Sequence, residues 1–139
     1  IRLLMFILVT AVAIVSATVS AQRVSVGTID KCGSGQRITC VVDGDTLWLS
    51  GVKIRIADIN TPETSRPQCA AERALGRRAT SRLIDLLNAG PFELATGSRD
   101  EDRYGRKLRI LMRDGVSLGE QLVAEGLAER WTGKRRNWC

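Results

Sequence analysis

The chain has 139 residues, with 21 Lys and Arg against 15 Asp and Glu, four Cys and no His. That length suits one domain with one modest core, and the net charge of +6 favours an anionic partner. The lack of His excludes Ser-His-Asp and Cys-His catalysis, a His general base and His-ligated zinc. Chemistry has to run on carboxylates, Arg, Lys, Tyr, Cys or a metal.

The first segment is an almost wholly apolar run, Leu3 to Val19, behind Arg2 and ahead of the small-residue stretch Val19-Ser20-Ala21. Residues 1–21 read as an export signal cut after Ala21, which implies a secreted or periplasmic protein. Left uncut, the segment would instead be a membrane anchor, although 17 residues are few for a span. Four cysteines behind such a signal read as two disulfides. Three pairings are open; the local pair Cys32–Cys40 is favoured, which leaves Cys69–Cys139.

Residues 22–39 read as a lead-in with a turn at Gly33-Ser34-Gly35, and the domain proper as 40–139. Strand signals follow at 36–42, at TLWLS and VKIRIAD on either side of a Ser50-Gly51 hairpin turn, and later at FELAT and KLRILMR. Ile54 and Ile56 share one face of their strand, so Arg55 points away from the main apolar face. Residues 70–88 read as a helix with the stripe Leu75, Ala79, Leu83 and Leu86, stopped by Gly90-Pro91. Ser117-Leu118-Gly119-Glu120 is a capping box that opens a second helix ending at Gly126. The order predicts a mainly β fold with two helices: a five-stranded barrel of OB type.

Three polar clusters punctuate this pattern. VVDGDT sets Asp43 and Asp45 one Gly apart at a strand edge. Alone, Asp-Gly is a common hairpin signal and the pair reads as solvated turn residues. The other reading is two carboxylates converging on a hard cation. IRIADINTPE ends a strand with Asp58, Asn60, Thr61, Pro62 and Glu63, and DRYGRKL sets Tyr104, Gly105 and Arg106 ahead of another. Each is an ordinary turn taken singly.

Taken in order, with a helix between the second and third, these clusters and LVAEGLA at 122–128 resemble the thermonuclease (micrococcal nuclease) family over roughly residues 40–130. The resemblance implies a five-stranded OB-type barrel and Ca²⁺-dependent cleavage of DNA and RNA, single-stranded or denatured by preference, to 3′-phosphate ends. It also implies roles. Asp45 matches a calcium-ligating carboxylate, with Asp43 as ligand or close by, and Thr61 offers its backbone carbonyl to the ion. Glu63 matches the general base; Arg55 and Arg106 match the arginines that hold the phosphate; Tyr104 lies beside a phosphate in the nucleotide pocket. Where the family carries a second ligating aspartate, this chain has Asn60, whose amide oxygen can still ligate with one charge fewer. Asp58, two residues back, is the other candidate for that place.

The set makes physical sense by itself. A phosphodiester under attack gains negative charge on its equatorial oxygens, which a divalent ion and two guanidiniums can stabilise. A carboxylate base replaces the missing His. The basic, Trp-flanked end WTGKRRNWC is either a solvated tail packed on the barrel or a surface for single strands. No protein partner is implied, and a monomer is expected. Two other functions fit parts of the chain: a non-catalytic nucleic-acid-binding OB module, and an envelope-anchored interaction protein. Neither explains Arg55, Glu63 and Arg106 together.

Overall fold

The computed structural model describes residues 13, 14 and 21–139, so the segment read as an export signal lies almost wholly outside the described residues. The elements are β1 (Gln22–Val24), β2 (Cys40–Asp43), β3 (Thr46–Leu49), β4 (Val52–Ile56), β5 (Ile59–Asn60), α1 (Ala70–Asn88), β6 (Phe92–Ala95), β7 (Lys107–Arg113), β8 (Val116–Ser117), α2 (Leu118–Ala124) and β9 (Glu129–Arg130). One sheet runs in the order β1-β6-β7-β4-β3-β2 with β8 also on β7, and β5 pairs with β9. β2, β3, β4, β6 and β7 are the five strands that the pattern predicts, and the curled sheet with two helices is of OB type.

The β3–β4 hairpin turns at Ser50 and Gly51, both with positive φ (49° and 81°), the left-handed pair that matches strand twist. β4 then meets β7 in parallel register, Arg55 opposite Leu108, with α1 and β6 in the chain between them. The core lies between the sheet and the helices. Val41, Leu47, Ile54 and Ile56 face Ala79, Leu83 and Leu86 of α1, and Leu118 and Leu122 of α2 join the same cluster. The apolar stripe of α1 is therefore the buried face, with Leu75 half-buried at its edge. α2 starts where the capping box places it: the Ser117 hydroxyl accepts from the Glu120 N–H at 3.2 Å.

Two parts differ from expectation. Residues 36–39 are not strand. The edge of β2 pairs instead with residues 30–32, through Val41 N–H to Asp30 O and Cys32 N–H to Val41 O, both 2.9 Å. The Cys32–Cys40 disulfide closes this edge. The lead-in also contributes β1, which pairs antiparallel with β6. Three residues with one half-buried Val hold too little alternation to be read as a strand. Cys69 and Cys139 form the second disulfide, so both favoured pairings are present.

Candidate active site

The acidic pair does sit in a hairpin: Asp43 pairs with Thr46, and Gly44-Asp45 forms the turn between β2 and β3. It is not a solvated turn. A Cβ on Gly44 would lie 2.8 Å from both Ala79 Cβ and Thr61 Cγ2, so α1 and the Thr61 segment are pressed onto it. Asp45 is left 8 % exposed. Its Oδ2 accepts from the Thr61 N–H at 3.0 Å and its Oδ1 from the Thr46 hydroxyl at 3.0 Å. Asp43 Oδ1 accepts from the Asp45 N–H at 3.1 Å. Burial first, and the Asp45 carboxylate second, push Asp43 up to about 7, and Glu63 adds to the repulsion.

Arg55 does point away from the main apolar face, and it lines a cleft wall with only 9 % of its surface exposed. A buried guanidinium is tolerable only when charge and donors are matched. Its Nη2 lies 3.3 Å from Asp45 Oδ2. Its Nη1 donates to the carbonyls of Ile56 (2.5 Å) and Ile59 (2.8 Å). The chain then turns through Thr61 and Pro62 to Glu63 beneath α1. A Cβ on Gly76 would meet Pro62 O at 2.6 Å and Glu63 O at 3.1 Å. The buried Glu72 of the same helix accepts from the backbone N–H of Glu63 (3.3 Å) and of Gln68 (2.6 Å). The Glu63 carboxylate is ion-paired with Arg135.

The third cluster is built on Asp102. Its Oδ1 accepts from the N–H groups of Tyr104 (2.9 Å) and Arg106 (3.0 Å), and its Oδ2 from Arg106 Nε at 2.6 Å. Burial raises Asp102, but the bonds from Arg106 and Tyr104 outweigh it and hold the carboxyl below its usual range. Tyr104 is 69 % exposed, with the guanidiniums of Arg103 and Arg106 4.8 Å and 5.5 Å from its ring. A cleft of about 540 Å³ gathers Arg55, Tyr104 and Arg106 with Trp131 and Arg135. Asn60, Thr61 and Glu63 line a smaller cleft of about 130 Å³, and Arg135 lines both. Asp45 joins the two sides, bonded to Arg55 and to Thr61.

Asn60 is buried, and its Nδ2 donates to Glu129 Oε1 at 2.9 Å. Asp58 is engaged elsewhere: its Oδ2 accepts from the Ser117 hydroxyl at 2.6 Å, at the start of α2. Among the described residues no group of three or more His, Cys, Asp or Glu gathers as a metal cage. The donors at hand are the carboxylates of Asp43 and Asp45, the Thr61 carbonyl and the Asn60 amide oxygen. All are hard oxygens, which suits calcium. Asp43 has no ion pair among the described residues, and the repulsion it suffers is what a cation would relieve, so the set fits that ion.

Sequence reading did not assign Asp102, Glu72 or Glu129, nor a partner for Glu63. Only Asp102 left a trace, four residues before Arg106 in a polar turn. The others depend on pairings between residues 9 to 72 positions apart in the chain.

A family model described as Staphylococcal nuclease homologue matches residues 53–137. The chain is 37% identical over 92 residues to endonuclease YncB of Bacillus subtilis (strain 168), covering 63% of this chain and 43% of that protein. It is also 37% identical over 92 residues to the SPbeta prophage-derived endonuclease YokF of that organism, covering 63% and 31%. To the probable staphylococcal-like nuclease CAN1 of Oryza sativa subsp. japonica it is 28% identical over 89 residues, covering 64% and 24%. The chain thus spans less than half the length of these relatives. Because the matching model runs from β4 to the C-terminal segment, more than half of the chain, the protein belongs to the staphylococcal nuclease homologue family.

Proposed function

We propose that this domain is a Ca²⁺-dependent nuclease that hydrolyses DNA and RNA to products ending in 3′-phosphate. The observation that carries the reading is the double attachment of Asp45, to Arg55 on one side and to the Thr61 backbone on the other. It makes the phosphate-binding cleft and the Glu63 segment one continuous site. Arg55 and Arg106 donate to the non-bridging oxygens of a bound phosphodiester and stabilise the charge that grows there. Glu63 takes the proton of the attacking water once Arg135 has released its carboxylate. Asp43, Asp45, the Thr61 carbonyl and the Asn60 amide oxygen would hold calcium, which would supply Lewis acidity at the phosphoryl oxygen. Exposed Tyr104 and Trp131 support a preference for unpaired bases. The endonuclease names of two relatives support cleavage over binding alone.

We further propose that the domain works after export, which its two disulfides support, and that it works as a monomer. The test is digestion of denatured DNA and of RNA by the purified protein, with calcium and with excess chelator. Calcium-dependent cleavage leaving 3′-phosphate is expected. Full activity in chelator, or 5′-phosphate ends alone, would reject the assignment. Tight binding without cleavage in calcium would favour the non-catalytic module.

A further inference from the structure

We propose that the C-terminal strap, residues 131–139, builds a second subsite that binds the phosphate group next to the scissile one, on the side away from Tyr104. The proposal rests on the nuclease reading and extends it from a single phosphodiester to a longer strand. The smaller cleft has Asn60, Thr61 and Glu63 of the proposed reaction centre in its lining, and its rim is completed by Arg66 from the loop after β5 and by Arg135, Arg136 and Trp138 from the strap, where the neighbouring phosphate would lie. Arg135 lines the main cleft as well, so the strap forms the ridge that a polynucleotide crosses as it leaves the proposed cleavage point.

Charge favours a phosphate there. The cleft holds three guanidiniums against the carboxylates of Glu63 and Glu72. Glu63 is paired with Arg135, and Glu72 is occupied by two backbone N–H groups. Neither Arg66 nor the Arg136 side chain has an ion pair among the described residues, and both are exposed. Two guanidiniums are thus left free for an anion, and Arg matches phosphate with a planar pair of donors. The Arg136 guanidinium lies 4.8 Å from the Trp138 ring, so the rim is a flat cationic face of the kind that tracks single strands. The strap is held in place at both ends, by the Trp131 N–H to Asp58 O at 2.9 Å and by the Cys69–Cys139 disulfide.

The test is the affinity of the intact protein for a DNA dinucleotide with one phosphodiester and for a hexanucleotide, measured in excess chelator so that neither is cut. The double variant Arg66→Ala/Arg136→Ala should lower the hexamer-to-dinucleotide affinity ratio roughly tenfold or more, the usual worth of a charge-assisted hydrogen bond. The salt slope for the hexamer should fall by about 0.7 for each phosphate that the variant no longer neutralises. Arg66→Ala/Arg136→Lys should restore part of the ratio. If the wild-type protein binds neither oligomer in chelator but cleaves the hexamer in calcium, the subsite is overturned and the nuclease reading stands; if it does not cleave in calcium either, both fail. If it binds both, and the ratio is the same in wild type and double variant, the subsite alone is overturned.

Discussion

Arg55, Arg106 and Arg135 each rest on a carboxylate: Asp45, Asp102 and Glu63. The three arginines line the main cleft, and on the proposed mechanism an arriving phosphate has to win them from these carboxylates. Glu63 and Arg106 lie outside the hydrophobic core, so Glu63→Gln and Arg106→Ala should leave the fold intact. Turnover should drop by about 10²–10⁴ for the lost base, and comparably for the lost arginine. Thermal melts beside rate measurements check this; near-normal turnover in either variant removes that residue from the mechanism. Asp43 gives a pH test on the metal-free protein. Folded, it keeps its proton up to about 7; its ordinary value is near 4. Its stabilising contribution is therefore full below pH 4 and is lost as pH rises toward 7. In chelator, denaturant midpoints should fall more steeply over that range for wild type than for Asp43→Asn. Parallel curves would show that Asp43 is not so perturbed. The types of these residues were legible in the sequence, but their partners were not. Asn60 shows the difference: an exchange to Asp looks like the gain of a ligand on paper. In the fold it would set a second carboxylate against Glu129, whose Oε1 now accepts from the Asn60 amide.

At the level of elements, α1 positions the site by closeness. Gly44 in the β2–β3 turn and Gly76 in the helix let three segments touch. Gly76 sits inside α1, where Ala would ordinarily gain about 1 kcal/mol in helix propensity. Here the added Cβ would fall 2.6 Å from the Pro62 carbonyl oxygen, a backbone atom, and 2.9 Å from Thr64 Cγ2. Overpacking of this kind costs about 1–3 kcal/mol, so the steric loss wins. Gly76→Ala should lower stability and, by shifting the 62–64 segment, lower turnover in the folded protein as well. A variant at least as stable as wild type, with full activity, would show that the segment yields without cost. α1 was readable to its ends, 70–88, because nineteen residues with a continuous stripe carry a strong period. β7 was equally clear over seven residues. β5, β8 and β9 have two residues each and exist only because the fold brings a partner alongside. The same holds for residues 30–32, which pair with the edge of β2.

For the whole molecule, the two disulfides do different work. Cys32–Cys40 joins positions 8 apart and Cys69–Cys139 positions 70 apart. By loop-closure entropy the first is worth about 2–3 kcal/mol and the second about 4. Their effect on the site should differ more than their effect on stability. Cys69–Cys139 ties down the segment that carries Trp131 and Arg135 into the cleft. Without it the strap keeps the Trp131 N–H bond to Asp58 and the Arg136 N–H bond to Glu129, both short of the chain end. Cys69 is also the N-cap of α1, a position where Ser caps well. The pair Cys69→Ser/Cys139→Ser therefore removes the tether without uncapping the helix. This variant should lose up to about 4 kcal/mol of stability, and its kcat/KM on single-stranded DNA should fall well below its melting temperature. The pair Cys32→Ser/Cys40→Ser should lose less stability and keep the turnover of its folded fraction, since that disulfide closes an edge of β2 outside both clefts. Reductant acting on the wild-type protein should reproduce the first pattern. Wild-type kcat/KM in Cys69→Ser/Cys139→Ser, at a temperature where it is fully folded, would mean that the strap stays seated without its tether and that the disulfide serves stability alone.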